Sequence, residues 1–314
     1  MKLIRLAGVF AILLFAAAAT AQRSFELDIL AETFGFDAST KKSVPLSDLH
    51  QGCPVRDCIP SIDSPEYLSV EDATHIADDD LVITLSYKGE RRAYPSKILD
   101  HHEIVNDMVG GDPLAITWCP LCGSAVAIRR TVAGETTEFG VSGVLYNSDL
   151  VLYDRATETL WDQIEAKGIV GTMTDERLEL VPVSMSRWAK WRDRHPDTLV
   201  LSTKTGFTYD YTEDRYADYR DSMRLFMPVS ATDDRVHAKT VVFGFDLASG
   251  AVAYAESVLE AEGGYRHNLD GEDTEITLHD DGSVTMRRGD ETFYPTRLFW
   301  FAWYTFHPGT DLLH

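Results

Sequence analysis

Two short runs, Leu81-Val82-Ile83-Thr84-Leu85-Ser86-Tyr87 and Glu90-Arg91-Arg92-Ala93-Tyr94, flank Lys88-Gly89. A glycine in a two-residue link supplies the left-handed backbone that joins twisted antiparallel strands, so this stretch predicts a β-hairpin. Near the other end, Glu275-Ile276-Thr277-Leu278-His279 and Ser283-Val284-Thr285-Met286-Arg287 flank Asp280-Asp281-Gly282 in the same way. Residues 114–117 read as a buried strand, and 124–129, 136–141 and 150–153 as further extended segments. Residues 184–195 carry Trp188 and Trp191 three apart and stop at Pro196, which predicts an amphipathic helix. The expectation is a single compact α+β domain, rich in sheet, with antiparallel hairpins towards the C-terminus. Its divisions are a leader at 1–21, a lead-in at 22–50, a core at 51–240 and a β-rich extension at 241–314 packed on that core. Lys88-Gly89-Glu90-Arg91-Arg92-Ala93-Tyr94-Pro95-Ser96-Lys97-Ile98-Leu99 has an echo in Ala248-Ser249-Gly250-Ala251-Val252-Ala253-Tyr254-Ala255-Glu256-Ser257-Val258-Leu259. Each is a strand, Ala-Tyr, then a helical turn closing on leucine, the pattern two similar units in one fold would leave.

Lys2 and Arg5 precede an apolar run at 6–19, and Ala19-Thr20-Ala21 has the small-x-small form of a cleavage site before Gln22. This order is that of a secretory signal peptide, and the apolar run is short for a membrane span. The expected location is therefore periplasmic or secreted, with no stable membrane insertion after cleavage. The chain holds 50 acidic against 29 basic side chains, a formal charge of -21. Such a surface repels nucleic acid and anionic lipid, which excludes both as partners and leaves a small molecule or a redox partner.

Four cysteines allow three full pairings, of which Cys53 with Cys58 and Cys119 with Cys122 is the simplest. Trp118-Cys119-Pro120-Leu121-Cys122-Gly123 follows the buried run at 114–117. Cys-x-x-Cys supports a reducible disulfide or a soft-metal knuckle. A helix after the motif would lower the first thiol's pKa, but 124–129 reads as extended, against a thioredoxin-like arrangement. A metal knuckle needs further ligands, and His101 and His102 precede the motif. Cys119, Cys122, His101 and His102 are the candidate ligands, for copper or zinc. Met223 and Met227, four apart, fit core packing better than thioether ligation. As catalytic candidates, Cys119 and Cys122 join Asp149 and Asp154, which lie in a polar stretch with Asn147, Ser148, Arg155 and Asp162. Two other readings stand beside a thiol-redox or soft-metal site. One is a non-catalytic module in which the cysteines are disulfide staples. The other is a hydrolase or transferase with Cys119 as nucleophile and His102 as base.

A series of words runs in order along the chain: Ala93-Tyr94-Pro95, Glu103-Ile104-Val105-Asn106-Asp107, the Trp118–Gly123 motif, Phe139-Gly140-Val141-Ser142-Gly143, Tyr146-Asn147-Ser148-Asp149-Leu150, Tyr153-Asp154-Arg155, Leu160-Trp161-Asp162-Gln163 and His195-Pro196-Asp197-Thr198. In these words the stretch from Ile59 to Lys239 resembles the family called domain of unknown function 3179. The resemblance carries over no activity, and Cys53 and Cys58 look like an addition particular to this chain.

Overall fold

The computed structural model describes residues 30–314, so the expected leader and the start of the lead-in lie outside the described residues. With 41% strand against 13% helix, the protein is mostly β, and its five small sheets are arranged as a five-bladed β-propeller. This corrects the expected compact α+β domain. The predicted helix at 184–195 shows why. Its first part, Ser184–Arg187, pairs antiparallel with Leu81–Tyr87, and only Trp188–Arg194 is helical. Helices of one or two turns cannot cover a sheet, so the sheets bury one another's faces.

Blade 1 orders its strands Ser184–Arg187, Leu81–Tyr87, Glu90–Pro95, Leu199–Leu201 and Tyr67–Leu68. Blade 2 runs Leu180–Val181, Ser124–Arg129, Asp112–Cys119 and Ile104–Val109. Blade 3 holds Leu49–Gln51, Phe139–Tyr146, Asp149–Asp154, Leu160–Asp162 and Lys167–Val170. Blade 4 runs Thr296–Phe299, Val241–Leu247, Gly250–Ala255 and Asp311–Leu313, and blade 5 is the meander Gly264–Leu269, Glu272–Leu278, Val284–Arg288 and Glu291–Phe293. One apolar core joins blades 1 and 2, another joins blades 2, 3 and 4, and a third joins blades 4 and 5. The ring closes through the Asp280-Asp281-Gly282 turn of blade 5. Its Asp281 carboxylate lies 2.9 Å from His195 Nε2, and its Asp281 carbonyl accepts the Ser186 hydroxyl of blade 1.

The echo in the sequence extends over two whole units. Blades 1 and 2 are built from strand, strand, short helix, three-stranded meander, edge strand, return strand, helix and parallel closing strand; blades 4 and 5 repeat this order. Leu199–Leu201 is parallel to Glu90–Pro95, as Asp311–Leu313 is to Gly250–Ala255. Details repeat as well. Trp191 Nε1 donates to Thr198 Oγ1 at 2.9 Å, and Trp303 Nε1 to Thr310 Oγ1 at 3.0 Å. The rings of His195 and His307 sit 4.0 and 3.9 Å from Trp191 and Trp303. Tyr94 donates to Asp107, and Tyr254 pairs with His267. Four strands of blade 3, from Phe139–Tyr146 to Lys167–Val170, are inserted in the first unit between Ser124–Arg129 and Leu180–Val181, where the second unit has only Gly289-Asp290.

Candidate metal centre

The strand Asp112–Cys119 becomes fully buried from Leu114 onward, and it delivers Cys119 opposite Ser124 at the head of the next strand. The turn between them ends at Gly123, whose φ is +62°. A Cβ there would meet the Phe299 ring at 3.0 Å, so both backbone and space demand glycine. The turn is held from outside: Phe299 N donates to Cys122 O at 2.8 Å, and the Tyr219 hydroxyl to Leu121 O at 3.1 Å. Blade 3 supplies the opposite wall. Asn147 and Ser148, both at positive φ, form the tight link between Phe139–Tyr146 and Asp149–Asp154. This places Asp149 at a strand start facing the thiols.

One ligand atom each from Cys119, Cys122 and Asp149 lies within 4.8 Å of the others, and all three residues are buried. Both thiols are free, so the expected Cys119–Cys122 pairing is not made; Cys53 and Cys58 are disulfide-bonded, with Cα atoms 6.3 Å apart. The Cys122 thiol donates to Ser148 O at 3.4 Å. Asp149 Oδ2 accepts Ile164 N at 3.2 Å, while Oδ1 has no hydrogen-bond partner among the described residues. Burial, then the neighbouring Cys119 and Asp149, push the Cys122 thiol well above its usual range. Burial and then Cys119 push the Asp149 carboxyl up as well. Asp162 is raised by burial and by Asp149, and its Oδ2 also lacks a partner among the described residues. Glu103 is pushed up to about 8 by burial, with Asp100 and Asp149 adding. Burial thus disfavours the charged forms of Cys122, Asp149, Asp162 and Glu103 together, a cost that a nearby cation would offset.

The linker between the two units covers this group. The Lys239 ammonium, itself buried, donates to the carbonyls of Tyr219, Ser222 and Arg224 and to the Ser222 hydroxyl. It also stands 3.5 Å from the Tyr219 ring centroid. Met227 exchanges backbone bonds with the Ser148 hydroxyl, and Ser230 N donates to Asn147 Oδ1. Met223 is 71% exposed, so it belongs neither to the core nor to the thiol group.

The other expected site residues stand apart. His102 sets Nδ1 2.8 Å from Pro60 O and Nε2 2.6 Å from the Tyr211 hydroxyl, so both ring nitrogens are occupied. His101 stacks on Tyr209 at 4.9 Å. Asp149 therefore fills the place expected of the histidines. The Asp154 carboxylate accepts bonds from Ala156 N, Thr157 N, Thr157 Oγ1 and Trp161 Nε1, which makes it the staple of its own turn. Glu103 entered the sequence reading only as the head of a family word, and Lys239 only as the end of the matching stretch, neither with a role. Glu103 sits at φ +57° where the second unit has Gly263 at +68°, so aligning the halves would have singled it out.

Two thiols and a carboxylate with a free buried oxygen form a three-donor set suited to a borderline-soft divalent cation. No curated protein and no solved structure shows significant similarity to the chain. A family model described as "Protein of unknown function (DUF3179)" matches residues 56–293, which takes in all three candidate ligands and parts of both units, and the chain belongs to that family.

Proposed function

We propose that the protein is exported and binds one zinc ion through Cys119, Cys122 and Asp149. The carrying observation is Asp149 Oδ1, buried beside two thiols with no hydrogen-bond partner among the described residues. An unpaired buried carboxylate oxygen costs several kcal/mol, roughly 1–3 even when only a hydrogen bond is lost, and a cation removes that cost. Copper(I) favours sulfur throughout, whereas zinc accepts carboxylate oxygen with thiolate. Three protein ligands with a fourth position free is the pattern of reactive zinc centres rather than structural ones. The Cys53–Cys58 disulfide supports a periplasmic or secreted location, since such bonds persist in oxidising compartments. Metal analysis of protein purified without chelators tests this. The wild type should carry about one zinc per chain, and Cys119→Ser and Cys122→Ser should carry none. A wild type that takes up no zinc on loading, with Cys119 and Cys122 recovered as a disulfide, would return the site to redox chemistry.

A further inference from the structure

Where the two units face each other they leave a cleft of about 440 Å³, within the range of small-molecule sites. Equivalent positions form its opposite walls: Leu81 and Arg187 from blade 1, Val241 and Phe299 from blade 4. Three of its cations are cancelled by carboxylates of the cleft itself. Lys97 pairs with Asp80 at 2.7 Å, Arg297 with Glu256 at 3.0 Å, and Arg220 with Asp214. Three charged groups remain: Arg187, Asp100 and the exposed Asp79. Arg187 donates only to the Asp79 carbonyl, at 2.8 Å, and among the described residues no carboxylate pairs with it. Asp100 is 2% exposed, and its Oδ1 is fixed by Trp118 Nε1 at 2.8 Å. Its Oδ2 takes no hydrogen bond among the described residues, and Asp100 lines the cleft.

We infer that this cleft binds a small zwitterion with an apolar body, of the amino-acid or short-peptide class, its carboxylate on Arg187 and its ammonium on Asp100. The indole of Trp118, Pro120 and the Phe299 ring supply apolar wall between these poles. A guanidinium recognises a carboxylate through paired N–H donors, and a buried carboxylate with one oxygen already fixed is preorganised for an ammonium. Burial holds Asp100 up at about 6, still largely ionised at neutral pH. Pro120 and Gly123 border both this cleft and the thiol turn, whereas the thiols themselves are buried with Asp149. The cleft is thus separable from the proposed zinc site.

Calorimetry with leucyl-leucine, its N-acetyl form and its C-terminal amide tests the inference. The free dipeptide should bind at millimolar concentration or below, and each blocked form should bind at least about tenfold more weakly. Asp100→Asn should abolish discrimination against the acetylated form, and Arg187→Gln discrimination against the amide. The Cys119→Ser/Cys122→Ser protein should bind the free dipeptide as the wild type does, so that loss of zinc leaves this result standing. No heat from free leucine or leucyl-leucine at millimolar concentration, or equal binding of free and blocked forms to the wild type, would overturn it.

Discussion

Residues 81–201 and 241–313 fold through the same order of strands and helices, and they differ where the chemistry sits. In the first unit the meander turn is Cys119-Pro120-Leu121-Cys122-Gly123; in the second it is His279-Asp280-Asp281-Gly282, one residue shorter. Asp281 is committed to His195 and Ser186 of the opposite unit. Only the first unit receives blade 3, and with it Asp149. Only the first unit puts a buried acid, Glu103, on the left-handed residue where the second has glycine. The scaffold is common, and the candidate centre comes from an insertion laid against one copy of the turn.

That comparison can be broken most severely at the inserted carboxylate. Asp149→Asn should lower zinc affinity by at least about a hundredfold in a competition titration with a chromophoric chelator, while Asp281→Asn should leave it unchanged. Equal losses would mean that the insertion is not what sets the units apart. The next effect concerns Glu103. Its folded value of about 8 lies above the ordinary glutamate value of 4.5, so between these pH values the folded chain keeps a proton that the unfolded chain has released. Stability of the zinc-free protein should therefore fall as pH rises through that window, by at most about 1.4 kcal/mol per unit. Glu103→Gln should flatten this slope in denaturant melts at pH 5 and pH 8; an unaltered slope would remove Glu103 from the account.

Lys239→Met should loosen the cover over the thiols. Four acceptors lose one donor, and modification of Cys119 and Cys122 by a thiol reagent should quicken by about tenfold or more at unchanged secondary structure. A rate equal to the wild type's would show that the linker is not the cover. The smallest effect tests the likeness of the units. Thr198→Val and Thr310→Val each remove one tryptophan hydrogen bond, and each should cost about 1 kcal/mol. Costs that differ severalfold would show that the repeated geometry hides unequal packing.

The hairpins were legible because their links demand positive φ: Lys88 and Gly89 lie at +48° and +84°. The echo was legible for twelve residues only, since beyond them the units agree in register more than in residue type. The propeller was not legible, because its blades close through distant pairings. Ser184–Arg187 returns to Leu81–Tyr87 across the whole of blades 2 and 3, and no local period records that. At the site, Cys119 and Cys122 announced themselves by spacing and Asp149 by its polar surroundings. His101 and His102 were expected at the base of the same strand layer as the motif, but a tyrosine hydroxyl and a proline carbonyl occupy both ring nitrogens of His102. Lys239 gave no signal, because three of its hydrogen-bond acceptors are backbone carbonyls, which every sequence has.

The buttress of the thiol turn comes from Phe299, close to the end of the chain. During synthesis the turn therefore waits for Phe299 to be made before it is held in place. If the chain is exported as proposed, that delay invites wrong partners. Cys53 and Cys58 are made long before Phe299 and stand only five positions apart, so they find each other early and withdraw two reactive sulfurs from exchange. The Cys53–Cys58 disulfide would then act as the centre's chaperone in time, lowering the chance that Cys119 and Cys122 find a wrong partner before Phe299 closes on their turn.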